Sequence, residues 1–216
     1  MRFGFRAILI VGLLGLHPAA AQDGGVGHTY QIDSQASRIT VRLDRKGLLS
    51  AFSHDHLLVA EGIAGRVFFD EEDISRSSLL LSVPVDSIVV DPPEARLREG
   101  ITGEMDDGDR EDIRETMLSD EYLDAGNHPR IVATAEGISG ELPLLSIPIM
   151  LRIKESEREL ILPVRVTIEN LTLRAVGEVR FLQSEYGVEP FSNLMGTLAV
   201  EDEILVKFDI VATRRP

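Results

Sequence analysis

From Ser37 the chain alternates. Ser37-Arg38-Ile39-Thr40-Val41-Arg42-Leu43 sets Ile39, Val41 and Leu43 on one face and Arg38, Thr40 and Arg42 on the other. That period of two is the signature of a half-buried strand. Leu79, Leu81, Val83 and Val85 repeat it against Ser78, Leu80, Ser82 and Pro84, where the proline predicts an edge or a bulge. Strand-like runs return at 131–136, 143–153, 159–169, 171–182, 197–200 and 204–212, with 155–158 as the polar tip of a hairpin. Gly62 and Gly65, ahead of Arg66-Val67-Phe68-Phe69-Asp70, predict a sharp bend of the sheet. Asp91-Pro92-Pro93 reads as a hard stop.

The period lapses only between positions 99 and 124, which carry eleven Asp or Glu against two Arg. Asp109 is placed to cap a helix there, with Ile113, Met117 and Leu118 as its apolar positions. Asp107-Gly108-Asp109 hints at a calcium loop, but the full ligand spacing with its closing Glu is missing. A solvated acidic helix is the favoured reading. No β-α alternation and no internal repeat is present. The pattern therefore predicts an all-β, mostly antiparallel barrel or sandwich of about eight strands, with one helical insertion at about 94–125. A barrel of that size is either filled by side chains or holds one small ligand.

Composition narrows the function. Arg2 and Arg6, the apolar run 7–16 and Ala19-Ala20-Ala21 before Gln22 form the three parts of a secretory signal peptide over residues 1–21. A periplasmic or secreted location follows as an expectation. Residues 22–29 are Gly-rich and read as a flexible lead into a domain over 30–214. Losing Arg2 and Arg6 takes the formal charge from −14 to −16, which disfavours nucleic acid and anionic headgroups. The remaining chain holds no apolar run long enough for a helical membrane span. There is no cysteine, so thiol chemistry and disulfides are excluded. There is no tryptophan, and Leu, Ile and Val dominate, so an internal cavity would be aliphatic.

The candidate chemistry centres on Ser50-Ala51-Phe52-Ser53-His54-Asp55-His56-Leu57-Leu58-Val59, which holds two of the five histidines. On a strand, Phe52, His54 and His56 share one face and Asp55 takes the other. Two histidines two apart can grip one metal ion, but a third ligand is needed, and His128, Glu61 or an acidic-segment carboxylate is not brought close by sequence. A metal is therefore not expected to be required. The preferred reading makes His54 and His56 hydrogen-bonded wall or mouth residues that orient a headgroup or a loop. Ser53 faces away from His54 and cannot pair with it as nucleophile and base. No G-x-S-x-G, His-Glu-x-x-His or phosphate-cradling loop is present. Tyr186 and Phe191 around Gly187 read as a bulge with core packing.

Several motifs in order resemble the YceI-like family. They are Tyr30-x-Ile32-Asp33-x-x-x-Ser37-x-Ile39-x-Val41, Gly62-x-x-Gly65-x-x-Phe68-x-Asp70, Val85-Asp86-Ser87-Ile88 and Tyr122-Leu123-Asp124 with Pro129-x-Ile131. Gly177-Glu178-Val179-Arg180-Phe181, the run from Gln183 to Ser192, and Val200-x-Asp202-x-Ile204 complete the set. The resemblance implies an exported, lipocalin-like up-and-down barrel that binds a polyisoprenoid or quinone-type tail in its lumen without catalysis. Ile39, Val41, Phe52 and Leu81 would line that lumen, with His54 and His56 near a polar end. The implied partner is a small hydrophobic ligand, with a homodimer or a membrane-protein partner left open. The family's Leu-Thr-x-x-Gly-x-Thr element is replaced here by Glu141-Leu142-Pro143-Leu144-Leu145-Ser146-Ile147-Pro148-Ile149. Its two prolines predict an edge or irregular strand. The alternatives are a metal-dependent enzyme using His54 and His56, and an acidic accessory protein of a membrane electron-transport or stress system.

Overall fold

The computed structural model describes residues 27–47, 55–103, 105–193 and 198–215. Residues 1–21, read above as a signal peptide, and the stretch carrying Phe52, Ser53 and His54 lie outside the described residues.

Eight strand positions close into an antiparallel barrel. The first is a bent strand made of β1 (His28–Ile32) and β2 (Arg38–Lys46). The second joins β3 (His56–Ala60) to β4 (Ala64–Phe69), and the third joins β5 (Ser78–Pro84) to β6 (Ile88–Val90). Helices α1 (Pro93–Arg98) and α2 (Asp107–Leu118) follow, then β7 (Arg130–Ala135) and the short β8 (Ser139–Glu141). The long strands β9 (Leu144–Ile153), β10 (Ser156–Glu169) and β11 (Thr172–Leu182) come next. The two-residue β12 (Ser192–Asn193) leads into β13 (Leu198–Thr213). Each position pairs with its neighbour in the chain, and β13 closes the ring on β1 and β2. Periodicity left a barrel or a sandwich open; the structure is the lipocalin-like up-and-down barrel that the resemblance implies, with a helical insertion between the third and fourth positions.

The inner wall follows from strand alternation and register. Leu43, Val41 and Ile39 stand across from Ile204, Val206 and Phe208 on β13. These three in turn face Phe181, Val179 and Gly177 on β11. On the other side of β2, the same rows continue to His56, Leu58 and Ala60. A one-residue slip anywhere would turn a whole row outward, so burial fixes the register.

Bends are set by backbone chemistry. Gly62 takes φ +61 where β3 turns into β4, a left-handed conformation that glycine adopts without strain. In β4, a Cβ at Gly65 would stand 2.1 Å from the Leu80 carbonyl oxygen, so that strand pair can approach only because the side chain is absent.

Several sequence expectations are corrected. β9 is no edge: it pairs β10 on one side and β7 and β8 on the other. Pro148 falls in the gap between β7, which pairs residues 149–152, and β8, which pairs 144–146, so its missing N–H interrupts no ladder there. The β9–β10 turn is Lys154-Glu155 rather than 155–158, with Lys154 at φ 53. Runs 197–200 and 204–212 belong to one strand, β13, with a bulge between Val200 and Ile204. The acidic residues between them are drawn into local contacts: Asp202 accepts from Ser184 N–H and Oγ, and Glu201 pairs with Lys46. Asp106, not Asp109, caps α2, accepting from Asp109 N–H at 2.8 Å. The segment around Tyr186 is a 3-10 turn, Gln183–Tyr186, ended by Gly187 at φ 70, and not a bulge. Tyr186 does pack in the core, edge-on to Phe181 at 5.1 Å. Phe191 instead stays exposed.

Candidate functional site

The barrel interior holds three clusters of buried apolar side chains, one toward each end and one between them. At the β1 end, Tyr30, Phe69, Leu145, Val164, Leu173 and Ala212 are all buried and pack as one cluster. At the other end, Ile153, Phe181, Tyr186, Val188 and Ile204 form a second. Some inward residues on the walls are less covered. Ile39, Val41, Leu58, Val179, Val206 and Phe208 pack against the clusters yet remain only half-buried. Apolar side chains that face inward and keep accessible surface form a wall that a hydrophobic chain can cover.

The structure places Ile39 and Leu81 in one internal cluster with Ile63, Val83, Ile88 and Ile210. Val41 joins the upper cluster. All three face inward, as their alternation requires. Phe52 and His54 lie outside the described residues.

His56 occupies the uppermost inner row, across from Leu43 and level with Ile204 and Phe181. Its Nδ1 lies 2.7 Å from Asp91 Oδ2. The second carboxylate oxygen accepts from Leu57 N–H at 2.8 Å and from the Arg96 guanidinium at 2.6 Å. Arg96 also donates to the Asp55 carbonyl at 2.9 Å and, more weakly, to those of Thr102 and Gly103. Asp91 is fully buried and Arg96 nearly so.

Local sequence explains how this cluster forms. Pro92 disfavours the right-handed helical region for the residue before it. Asp91 sits instead at φ 48, a conformation that Asp tolerates better than most residues. Its N–H donates to the Leu57 carbonyl at 2.7 Å while its carboxylate accepts from the Leu57 N–H, so Asp91 clamps the start of β3 from both sides. Pro93 then opens α1 at a position where no N–H is needed. Ala95 and Ile101 bury Leu57 on the outer face, which shields the ion pair from water. Burial alone would push the Asp91 carboxyl up. The hydrogen bonds from His56 and Leu57 and the nearby Arg96 outweigh it and hold the group below its ordinary value.

The other candidates are dispersed. Asp55 faces outward, as predicted, and pairs with Arg42 at 2.9 Å. His128 is tied to Glu155 at 2.9 Å and lies 3.7 Å from Asp124, away from His56. The Glu61 carbonyl accepts from Ser87 Oγ, and its side chain is exposed. Among the described residues no group of three or more His, Cys, Asp or Glu is arranged to hold a metal ion. Sequence reasoning missed Asp91 and Arg96. The only available signal was an acid just before Pro-Pro with an arginine five residues on, and it looked like a turn.

The YceI-like domain matches residues 30–212. BcnA of Burkholderia cenocepacia superposes with a TM-score of 0.64 at 17% identity, covering 84% of this chain and 99% of that one. A polyisoprenoid binding domain from Saccharophagus degradans, implicated in plant cell wall breakdown, gives 0.58 at 13%, covering 86% and 98%. A YCEI protein of Campylobacter jejuni gives 0.55 at 9%, covering 74% and 85%. At these identities the likeness concerns the fold. No curated protein matches the chain in sequence.

Proposed function

The chain belongs to the YceI-like domain family, and from that premise we propose that it is an exported, non-catalytic protein that carries an isoprenoid or quinone-type lipid tail inside its barrel. The observation that carries this reading is the set of half-buried, inward-facing apolar residues Ile39, Val41, Leu58, Val179, Val206 and Phe208. Each buried Å² of such surface contributes about 25 cal/mol, so a tail of many methylenes can be held with no charged contact to the chain. The Saccharophagus degradans domain, which shares this fold and is described as polyisoprenoid binding, supports the same ligand class. The acidic charge supports a neutral ligand over an anionic one. Periplasmic or secreted placement rests on residues 1–21, and no cofactor or metal is required for the role. No helix among the described residues is long and apolar enough to cross a membrane.

Native mass spectrometry of gently purified protein tests this. A co-purifying prenyl-type mass, displaced by added lipid, is the expected result. Recovery of apo protein alone, with no response of an apolar fluorescent probe to lipid, would overturn it.

A further inference from the structure

We propose that His56 Nε2 is the headgroup contact of the lumen and that it selects lipids ending in a hydroxyl. The inference deepens the lipid-binding reading and rests on it. Asp91 is acceptor-only when ionised, and its two oxygens already receive Leu57 N–H and Arg96 on one side and His56 on the other. The proton in the Asp91–His56 contact therefore belongs to His56 Nδ1. In its neutral form, with the proton on Nδ1, an imidazole presents Nε2 as a hydrogen-bond acceptor. Among the described residues Nε2 has no partner, and the side chain keeps 19% of its surface.

Position gives this acceptor its meaning. His56 heads the inner row above Leu58, Val41 and Val206, so a tail lying along that wall ends at the imidazole. The chemistry around it argues against a phosphate. Arg96 is engaged by Asp91 and three carbonyls, and Arg42 by Asp44 and Asp55. Arg45 lies 3.7 Å from Asp55, and Lys46 3.0 Å from Glu201. A lone-pair acceptor suits an O–H donor. Prenols and reduced quinones share that group, whereas prenyl ethers and oxidised quinones lack it. Asp91 is the positioning residue: it fixes the tautomer and holds the ring to the rim.

The test uses two matched pairs at neutral pH. Solanesol is compared with its methyl ether, and a ubiquinol with its own ubiquinone, by displacement of an apolar fluorophore from the wild-type protein and from His56→Leu. In at least one pair the donor should bind about five- to tenfold more tightly to wild type, and the gap should vanish in His56→Leu while the donor-less partner binds as before. The pair that shows the gap identifies the donor. Equal affinity within both pairs in wild type overturns the headgroup inference and leaves lipid binding standing. Failure of all four probes to bind overturns both. Because His56→Leu leaves Asp91 short of a partner, a second readout uses wild type alone. The ¹⁵N spectrum of His56 should show a protonated Nδ1, with Nε2 shifting on addition of the hydroxyl lipid and not of its donor-less match. A protonated Nε2, whether Nδ1 is bare or protonated as well, would also overturn the proposal.

Discussion

At the scale of single residues, Asp91 carries the most testable energetics. It is a fully desolvated carboxylate whose partners would be stranded without it. Breaking a buried pair costs about 3–5 kcal/mol, so Asp91→Ala should lower unfolding stability by that order in urea melts. The pH dependence has a definite sign. Asp91's carboxyl is held below its usual value, so its contribution is present at neutral pH and above the unfolded value near 4. It is lost as pH falls further, through the folded value. Urea midpoints measured from pH 7 to 3 should drop at the acid end, and less so in Asp91→Asn. Tyr186 shows the opposite case. Burial, with Glu185 nearby, pushes its phenol up to about 12. Its tyrosinate absorbance should appear only near that pH, or on unfolding, and stability from this group declines as pH rises past the ordinary tyrosine value near 10. These residues also mark where sequence reading stopped. Alternation reads the inward face of Ile39, Val41 and Leu81 directly, because that face is a local property. The Asp91–His56 contact joins positions 35 apart through a left-handed turn before two prolines, and no periodic pattern encodes it.

At the scale of elements, the β11–β13 pair sets the bore of the lumen. Gly177 stands opposite Phe208, and a Cβ there would lie 2.6 Å from Phe208 Cζ. Gly177→Val should therefore drive the ring into the inner space, costing about 1–3 kcal/mol in stability. Lipid affinity should fall several-fold, as read by fluorophore displacement. An unchanged affinity would place the ligand elsewhere. Strand count, antiparallel order and the acidic helical interruption were legible because each rests on period and composition. The bulge in β13 and the tight Lys154-Glu155 turn were not. Glu201-Asp202-Glu203 looks like a loop until the partners Ser184 and Lys46 are in place. Pro148 misled because its ladder gap is made by a break in a neighbouring strand.

At the scale of the whole molecule, the barrel separates two apolar surfaces. The inner belt faces the clusters at either end, whereas Leu144, Ile161 and Val176 stand exposed on the outer wall. The proposed lipid-binding role uses the inner surface. Methyl NMR with a nitroxide-labelled isoprenoid tests this most directly. The account predicts strong broadening of Leu58, Val41, Val179 and Val206, with Ile161, Leu144 and Val176 spared. Broadening confined to the outer residues, with the inner methyls untouched, would contradict it.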